Sequence, residues 1–246
     1  MKIKLYHCML SIIVPTLNEE NYLPLLLREI KKQNFKDYEV IVADASSRDK
    51  TVEIAESYGC KVVPGGSPAK GRNVGAKAAK KDIFLFMDAD NIFLSPGFLR
   101  NLMEGFEKRK LDVASFPLFL QGNKFDRLAY GLYNWWVEKT QRFLPHATNC
   151  VLIRRNIHEK IGGFNEEIQM AEDHAYVRKA AKYGKFGFIK TDPVLTSSRR
   201  LERDGRFKTY FKYLLGGLHM ILFGNIKSDI FKYRFNHYLK NDKKEI

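Results

Sequence analysis

Four short apolar runs in the first 90 residues, with helix-like stretches between them, constrain what this chain can fold into more than any other feature. The runs are Leu10–Val14, Glu39–Ala43, Cys60–Val63 and Ile83–Met87. Between them lie Asn21–Gln33, with Pro24 among its first positions, Asp49–Tyr58, closed by Gly59, and Ala69–Lys80. Proline is tolerated in the first turn of a helix, and a glycine commonly ends one. Apolar runs of four or five residues without strict alternation fit strands covered on both faces. The βαβαβαβ order therefore predicts a Rossmann-like α/β fold, a mostly parallel sheet with helices on both faces.

The second half is less regular. Ser95–Lys108, Lys124–Leu144 and about Met170 to Tyr183 read as helices, and Asp112–Leu118, Cys150–Arg154 and Lys185–Lys190 as strands. From Phe207 to Phe223, apolar residues at 207, 210, 211, 214, 215, 218, 221 and 222 follow i, i+3, i+4 spacing, with Lys208, Lys212 and His219 off the stripe. We expect a main domain over 1–206 and a basic amphipathic helical extension over 207–246. A helix of this kind either packs on the domain or lies in a membrane interface.

Charge is the unusual part of the composition. Forty-two Lys and Arg stand against 28 Asp and Glu, a net +14. Residues 184–246 hold 14 basic and 6 acidic residues, so +8 of that excess lies there. Such a balance implies an anionic partner. The three cysteines, Cys8, Cys60 and Cys150, form no CxxC pattern, which points to a reducing, cytoplasmic setting. The opening apolar stretch runs into Pro15 without a small-residue cleavage site, so it reads as a first strand rather than a signal peptide. No run approaches the ~18 apolar residues of a spanning helix.

Ligands of open parallel sheets bind beyond the carboxyl ends of the strands. Three of those ends are polar here: Pro15-Thr16-Leu17-Asn18-Glu19-Glu20, Asp44 through Thr51, and Asp88-Ala89-Asp90. Two carboxylates directly after a buried strand are costly unless a cation lies between them. A hard divalent ion with oxygen ligands, its shell completed by a diphosphate, resolves that cost. Ser47, Asp49 and Thr51 are expected to cap the following helix. Gly71-Arg72-Asn73-Val74-Gly75 opens the third helix with a guanidinium fork suited to an anion. It is not GxGxxG, which disfavours a nicotinamide or flavin site. Glu172-Asp173 falls inside a predicted helix.

Taken in order, PTLNEE, VADASSRDKT, GRNVGA, FMDAD, RRNIHEKIGGFNE and AEDHAYVRKA resemble the inverting family 2 glycosyltransferases with the A-type nucleotide-sugar fold, over about Leu10 to Arg206. The resemblance implies transfer of a sugar from a UDP- or GDP-linked donor. It sets Pro15, Thr16 and Glu19 around the nucleoside, Asp44 at the base edge and Arg72 near the nucleotide. Asp88 would face ribose and metal, Asp90 would ligate Mn²⁺ or Mg²⁺, and Asp173 would be the catalytic base. Arg199, Arg200 and Arg203 would form a mobile basic loop over the phosphates. Glu172, His146 and Trp136 would border the acceptor, a glycan or a lipid-linked molecule, with the enzyme peripheral on the cytoplasmic face of a membrane. No QxxRW occurs, so single addition is expected over processive synthesis.

Two rivals read the same residues differently. A sugar-nucleotide nucleotidyltransferase would carry a Gly-rich basic loop after the first strand, where this chain has PTLNEE. A basic nucleic-acid-associated protein would fit the +14, but carboxylates at the strand ends would repel phosphate unless a metal intervened. Nucleic acid is therefore not expected as a partner.

Overall fold

The computed structural model describes residues 10–168 and 170–227. Cys8 and the part of the expected extension past residue 227 lie outside the described residues. The four apolar runs form β1 (Leu10–Thr16), β2 (Tyr38–Asp44), β3 (Lys61–Pro64) and β4 (Ile83–Phe86). With β6 (Val113–Ser115), β8 (Val151–Arg154) and β9 (Phe186–Phe188) they make a seven-stranded sheet of order β3-β2-β1-β4-β8-β6-β9. Only β8 runs against its neighbours. The sheet is thus mostly parallel, as the alternation predicts.

Successive residues of β1 serve opposite faces. Ile12 and Val14 pack with Leu23, Leu26 and Ile30 of α1 (Leu23–Lys32) and with Phe98, Leu102 and Phe106 of α4 (Phe98–Lys108). Ile13 packs on the other side with Ala69 and Ala76 of α3 (Pro68–Ala78), Ile157 of α6 (Arg155–Lys160), and Tyr176 and Val177 of α7 (Glu172–Ala180). Both faces are therefore covered by helices, which is why β1 and β4 can be apolar throughout. Close approach of α3 to the sheet depends on Gly75, where a Cβ would lie 2.4 Å from Ile13 Cγ2.

Parallel register aligns the polar strand ends. Thr16 pairs with Asp44, Asp44 with Pro64, and Ile13 with Phe86, so the three acidic loops share one edge. Several details differ from the sequence reading. The helices expected from Asn21 and Met170 start at Leu23 and Glu172, and the one from Lys124 ends at Thr140 (α5, Lys124–Thr140). The single strand expected over Asp112–Leu118 divides at Pro117, which has no N–H for a ladder. Its second part, β7 (Leu118–Gln121), joins β5 (Asn91–Phe93) and β10 (Val194–Ser197) in a small sheet of order β5-β10-β7. The segment expected as a basic loop is a short helix, α8 (Arg199–Asp204), with Leu201 buried.

The expected capping is met in part: Lys50, at the N-cap position of α2 (Thr51–Ser57), makes no side-chain cap bond, but Asp49 Oδ1 accepts from the Thr51 amide at 3.0 Å. Backbone amides of the first loop also donate to the second: Asn18 to Ser47 Oγ at 2.8 Å, Glu19 to Thr51 Oγ1 at 2.8 Å, and Glu20 to Asp49 Oδ2 at 3.1 Å. These bonds hold the PTLNEE loop against β2.

α9 (Arg206–Leu222) is moored to α5 through Asp126. That carboxylate is fully buried, closes a capping box with Asn123, and accepts from Arg206 Nε at 3.1 Å and Tyr210 Oη at 2.9 Å. Its pKa lies below the usual range: burial opposes its charge, but these donors outweigh that. Among the described residues, no helix is long and apolar enough to cross a membrane.

Candidate active site

A cleft of about 770 Å³ opens over the strand ends and gathers most of the residues singled out in the sequence. Pro15, Thr16, Glu19, Arg72, Asp88, Asp90, Glu172, Asp173, His146, Trp136, Arg199 and Arg200 all line it. Asp44 and Arg203 do not. Asp44 sits at the end of β2 with its carboxylate taken up by Thr16 Oγ1 (3.0 Å), Ser47 Oγ (2.6 Å) and the Ser47 amide (2.8 Å). Arg203, on the short helix, meets Asp204 at 3.1 Å.

Arg72 ties the two halves of the cleft together. Its Nη2 donates to Asp88 Oδ1 and its Nη1 to Glu172 Oε1, both at 2.7 Å. Burial works against the guanidinium charge, but the two carboxylates overcome this and raise its pKa. Glu172 is pushed up by burial, an effect that Arg72 only partly offsets. The fork is supported from below. Phe164 lies 5.3 Å from the guanidinium and stacks on Tyr176 at 3.7 Å, and Tyr176 Oη is 2.6 Å from His158 Nδ1. Asn73 brackets Phe164, donating to its carbonyl and accepting from its amide at 2.9 and 2.8 Å. This explains the Gly-Gly-Phe run: Gly163 has φ +74°, and a Cβ there would lie 2.5 Å from Asn73 Oδ1.

Asp90 is the more strained carboxylate. Burial pushes its pKa up to about 7; Arg199 opposes this, while the nearby negative charges of Asp88 and Glu19 add to it. Arg199 Nε is 3.5 Å from Asp90 Oδ2, and the same guanidinium grips Glu19 with two bonds of 2.8 and 2.7 Å while lying over Tyr22 at 4.4 Å. Glu19 and Asp90 thus share Arg199, while Asp88 is held by Arg72. Their carboxylate oxygens are the hard donors a divalent cation takes. Among the described residues no three His, Cys, Asp or Glu side chains converge as a complete cage. Asp90 and Asp88 would be the protein ligands, leaving the remaining positions to ligand phosphate and water.

Asp173 is the second residue of α7, facing the same cleft, with Oδ1 accepting from the His174 amide at 2.9 Å. The helix is entered through Ala171 at φ +59°, a left-handed conformation that costs an L-residue ~1–2 kcal/mol. Asn18, Ser46 and Asn149, all on loops around these strand ends, share that conformation. Strain of this kind gathers where a surrounding structure fixes a site.

Beyond Asp173 the wall turns aromatic. Trp136 lies 4.6 Å from the His146 ring, and Tyr133 Oη donates to the Ala147 carbonyl at 2.9 Å. His146 and His174 meet Nδ1 to Nδ1 at 3.3 Å, and the Ala147 amide donates to His174 Nδ1. That nitrogen is therefore an acceptor, which leaves His146 to carry its proton on Nδ1. Burial, with His174 adding to it, holds the His146 pKa down at about 3. Asn73 and His174 lie within the GRNVGA and AEDHAYVRKA segments, though the sequence assigns neither a role; Tyr133 belongs to the aromatic set of the Lys124–Leu144 helix, which suits an acceptor wall, a core or an interfacial anchor alike.

Residues 11–165 match the model of glycosyl transferase family 2. A 91-residue segment, 33% of this chain and 16% of the relative, is 40% identical to the poly(ribitol-phosphate) β-N-acetylglucosaminyltransferase TarS of Staphylococcus aureus. Over 199 residues, 76% of this chain and 67% of the relative, the sequence is 26% identical to an uncharacterized glycosyltransferase of Haemophilus influenzae. The fold matches the crystal structure of S. aureus TarS 1–349 in complex with UDP-GlcNAc at a TM-score of 0.65 and 24% identity, over 77% of this chain and 58% of that one. A mannosyltransferase from Pyrobaculum calidifontis, in complex with GDP-Man and Mn²⁺, gives 0.62 and 20% over 78% and 57%. The chain thus spans less than two thirds of the first of these relatives and of both solved structures.

Proposed function

Because the chain belongs to glycosyl transferase family 2, we propose that it transfers a single sugar, with inversion, from a UDP- or GDP-linked donor to an acceptor hydroxyl. The observation that carries this reading is the Arg72 bridge: one buried guanidinium joins the Asp88 carboxylate to Glu172 across a single cleft that also holds Asp90 and Asp173. In this reading Pro15, Thr16 and Glu19 border the nucleoside, with Asp44 buttressing Thr16 from behind. Asp88 and Asp90 would hold Mn²⁺ or Mg²⁺, which when bound would supply Lewis-acid neutralisation of the diphosphate charge.

The protein's own residues account for the rest. Asp173 accepts the proton of the acceptor hydroxyl. The acceptor oxygen then bonds to the anomeric carbon from the face opposite the diphosphate, the carbon–oxygen bond to phosphate breaks, and its electron pair leaves with the nucleoside diphosphate. One displacement without a covalent enzyme intermediate inverts the configuration. Arg199 and Arg200 meet phosphate charge, with Arg203 on the same short helix. Glu172, His146 and Trp136 border the acceptor, a glycan or lipid-linked molecule. We read residues 207–246 as an extension of a 1–206 catalytic domain, and the chain as a cytoplasmic protein peripheral to the membrane.

The test is a thermal-shift screen of UDP and GDP sugars with and without Mn²⁺, since a ligand of the folded state raises the melting temperature. Asp90→Asn should lose the metal-dependent part of the shift. Asp173→Asn should keep the donor shift while transfer falls by ~10²-fold or more. Near-normal turnover in D173N would remove the base assignment.

A further inference from the structure

Among the described residues, most of the exposed large hydrophobic side chains lie on two helices beside the cleft. On α5, Phe125, Leu128, Leu132 and Trp135 follow one another at i, i+3, i+7 and i+10 and are 53–62% exposed. On α9, Phe207, Phe211, Leu214 and Leu218 form a second stripe, 47–85% exposed. The shared mooring of Arg206 and Tyr210 on Asp126 holds α9 against α5 at that end, and Phe125 meets Phe207 and Tyr210 at 6.4 and 5.7 Å, so the two stripes adjoin. Contiguous apolar surface of this extent marks an interaction site.

Its occupant is indicated by charge and by position. α9 contains Arg206, Lys208 and Lys212 and no acidic residue. Lys124, Arg127 and Lys208 are exposed beside the stripes, on a chain of net charge +14. Apolar side chains flanked by cations match an anionic lipid surface, where the chains enter the interface and the cations meet headgroups. The face is also continuous with the cleft, because Leu132, Leu214 and Leu218 are exposed on it and line the cleft as well. Gly217 lines the cleft there, and a Cβ on it would meet nothing within 4 Å, so the space beside it is open.

We propose that α5 and α9 together dock on an anionic bilayer, and that the acceptor is an amphiphile drawn from it, its apolar chain lying between Leu132 and Leu218 and its hydroxyl head reaching Asp173. The acceptor half of this proposal rests on the transfer reading above; the docking half does not.

The experiment is flotation of the full chain with phosphatidylcholine vesicles, with and without phosphatidylglycerol. Binding to the anionic vesicles should be about tenfold or more tighter, and should weaken with salt. The triple variant Leu128→Glu/Phe211→Glu/Leu215→Glu, at exposed positions that do not line the cleft, should lose about tenfold or more in vesicle binding. It should retain the nucleotide-sugar thermal shift. If the triple variant fails to fold, Trp136→Phe decides: Trp135 is then the only tryptophan, and brominated lipid should quench it. Absence of flotation, unchanged flotation in the triple variant, or unquenched Trp135 would overturn the docking. So would a concentration-dependent dimer abolished by the triple variant, since a second copy would then be the occupant. A wild-type chain that floats but gains no stability from any sugar nucleotide would overturn the acceptor half while leaving the docking intact.

Discussion

Arg72→Met removes the guanidinium and leaves two carboxylates facing a cleft without their cation. The two partners are not equivalent, and their exposures set the magnitudes. The Glu172 side chain is 9% exposed, whereas that of Asp88 is 36% exposed. Breaking a buried pair by removing one partner costs ~3–5 kcal/mol, because the surviving charge stays desolvated. A pair with one partner open to water is worth ~0–1 kcal/mol. Arg72→Met should therefore destabilise by about 3–5 kcal/mol, a large share of the ~5–15 kcal/mol that holds a domain folded. Two double-mutant cycles by urea denaturation separate the contributions. Arg72→Met with Glu172→Gln should show a coupling of about 3 kcal/mol, the double variant recovering most of the loss. Arg72→Met with Asp88→Asn should show less than ~1 kcal/mol. Equal couplings, or a larger one to Asp88, would refute the argument that burial of Glu172 makes this bridge rigid.

Acid should destabilise the fold through its buried histidines. Burial, with Arg155 adding to it, holds the His158 pKa down at about 4, and His146 lies near 3. An unfolded histidine takes its proton near pH 6.5, so the unfolded state binds protons first as pH falls. The stability these groups confer is whole above that pH and is lost on the way down toward pH 4. Between pH 7 and 5 the loss is ~2 kcal/mol per histidine. His158→Gln should reduce the slope of urea midpoint against pH, and an unchanged midpoint from pH 7 to 5 would contradict the burial argument. Gly75→Ala should cost ~1–3 kcal/mol by overpacking, because its Cβ would meet Ile13 at 2.4 Å. A melting temperature equal to wild type would show that α3 can shift away from the sheet without loss.

The sheet and its three acidic edges were legible because the signals are local. An apolar run of four or five residues followed directly by Asp or Pro states both a buried strand and its end, and the parallel order follows from the alternation with helices. The glycosyltransferase resemblance could be read for the same reason, since each of its motifs is a short segment at a strand or helix end. Local signals failed for the second sheet. β5, β7 and β10 are as short as β4 and β9 but lie far apart in the chain with no alternating helix order to link them, so neither their sheet nor the break at Pro117 could be read. The expected capping by Ser47, Asp49 and Thr51 held in part. Asp49 takes the first amide of α2, while its other oxygen and the hydroxyls of Ser47 and Thr51 take amides of the PTLNEE loop, partners 29 to 32 residues away in the chain.

Other properties depend on residues far apart in the chain. Composition and periodicity by themselves determined an α/β chain with carboxylates at the strand ends, a basic surplus and one amphipathic helix over 207–223. Whether Arg72 would meet Glu172, 100 residues away, was decided by the packing of α3 and α7 on the same face of the sheet. Periodicity also shows that α9 has an apolar stripe, but not what that stripe faces. That was decided by the Asp126 mooring, which buries Thr209 and leaves Phe207, Phe211 and Leu214 to the outside. The physical reason is the same in both cases: charge pairing and burial act through space, and only the folded chain sets those distances.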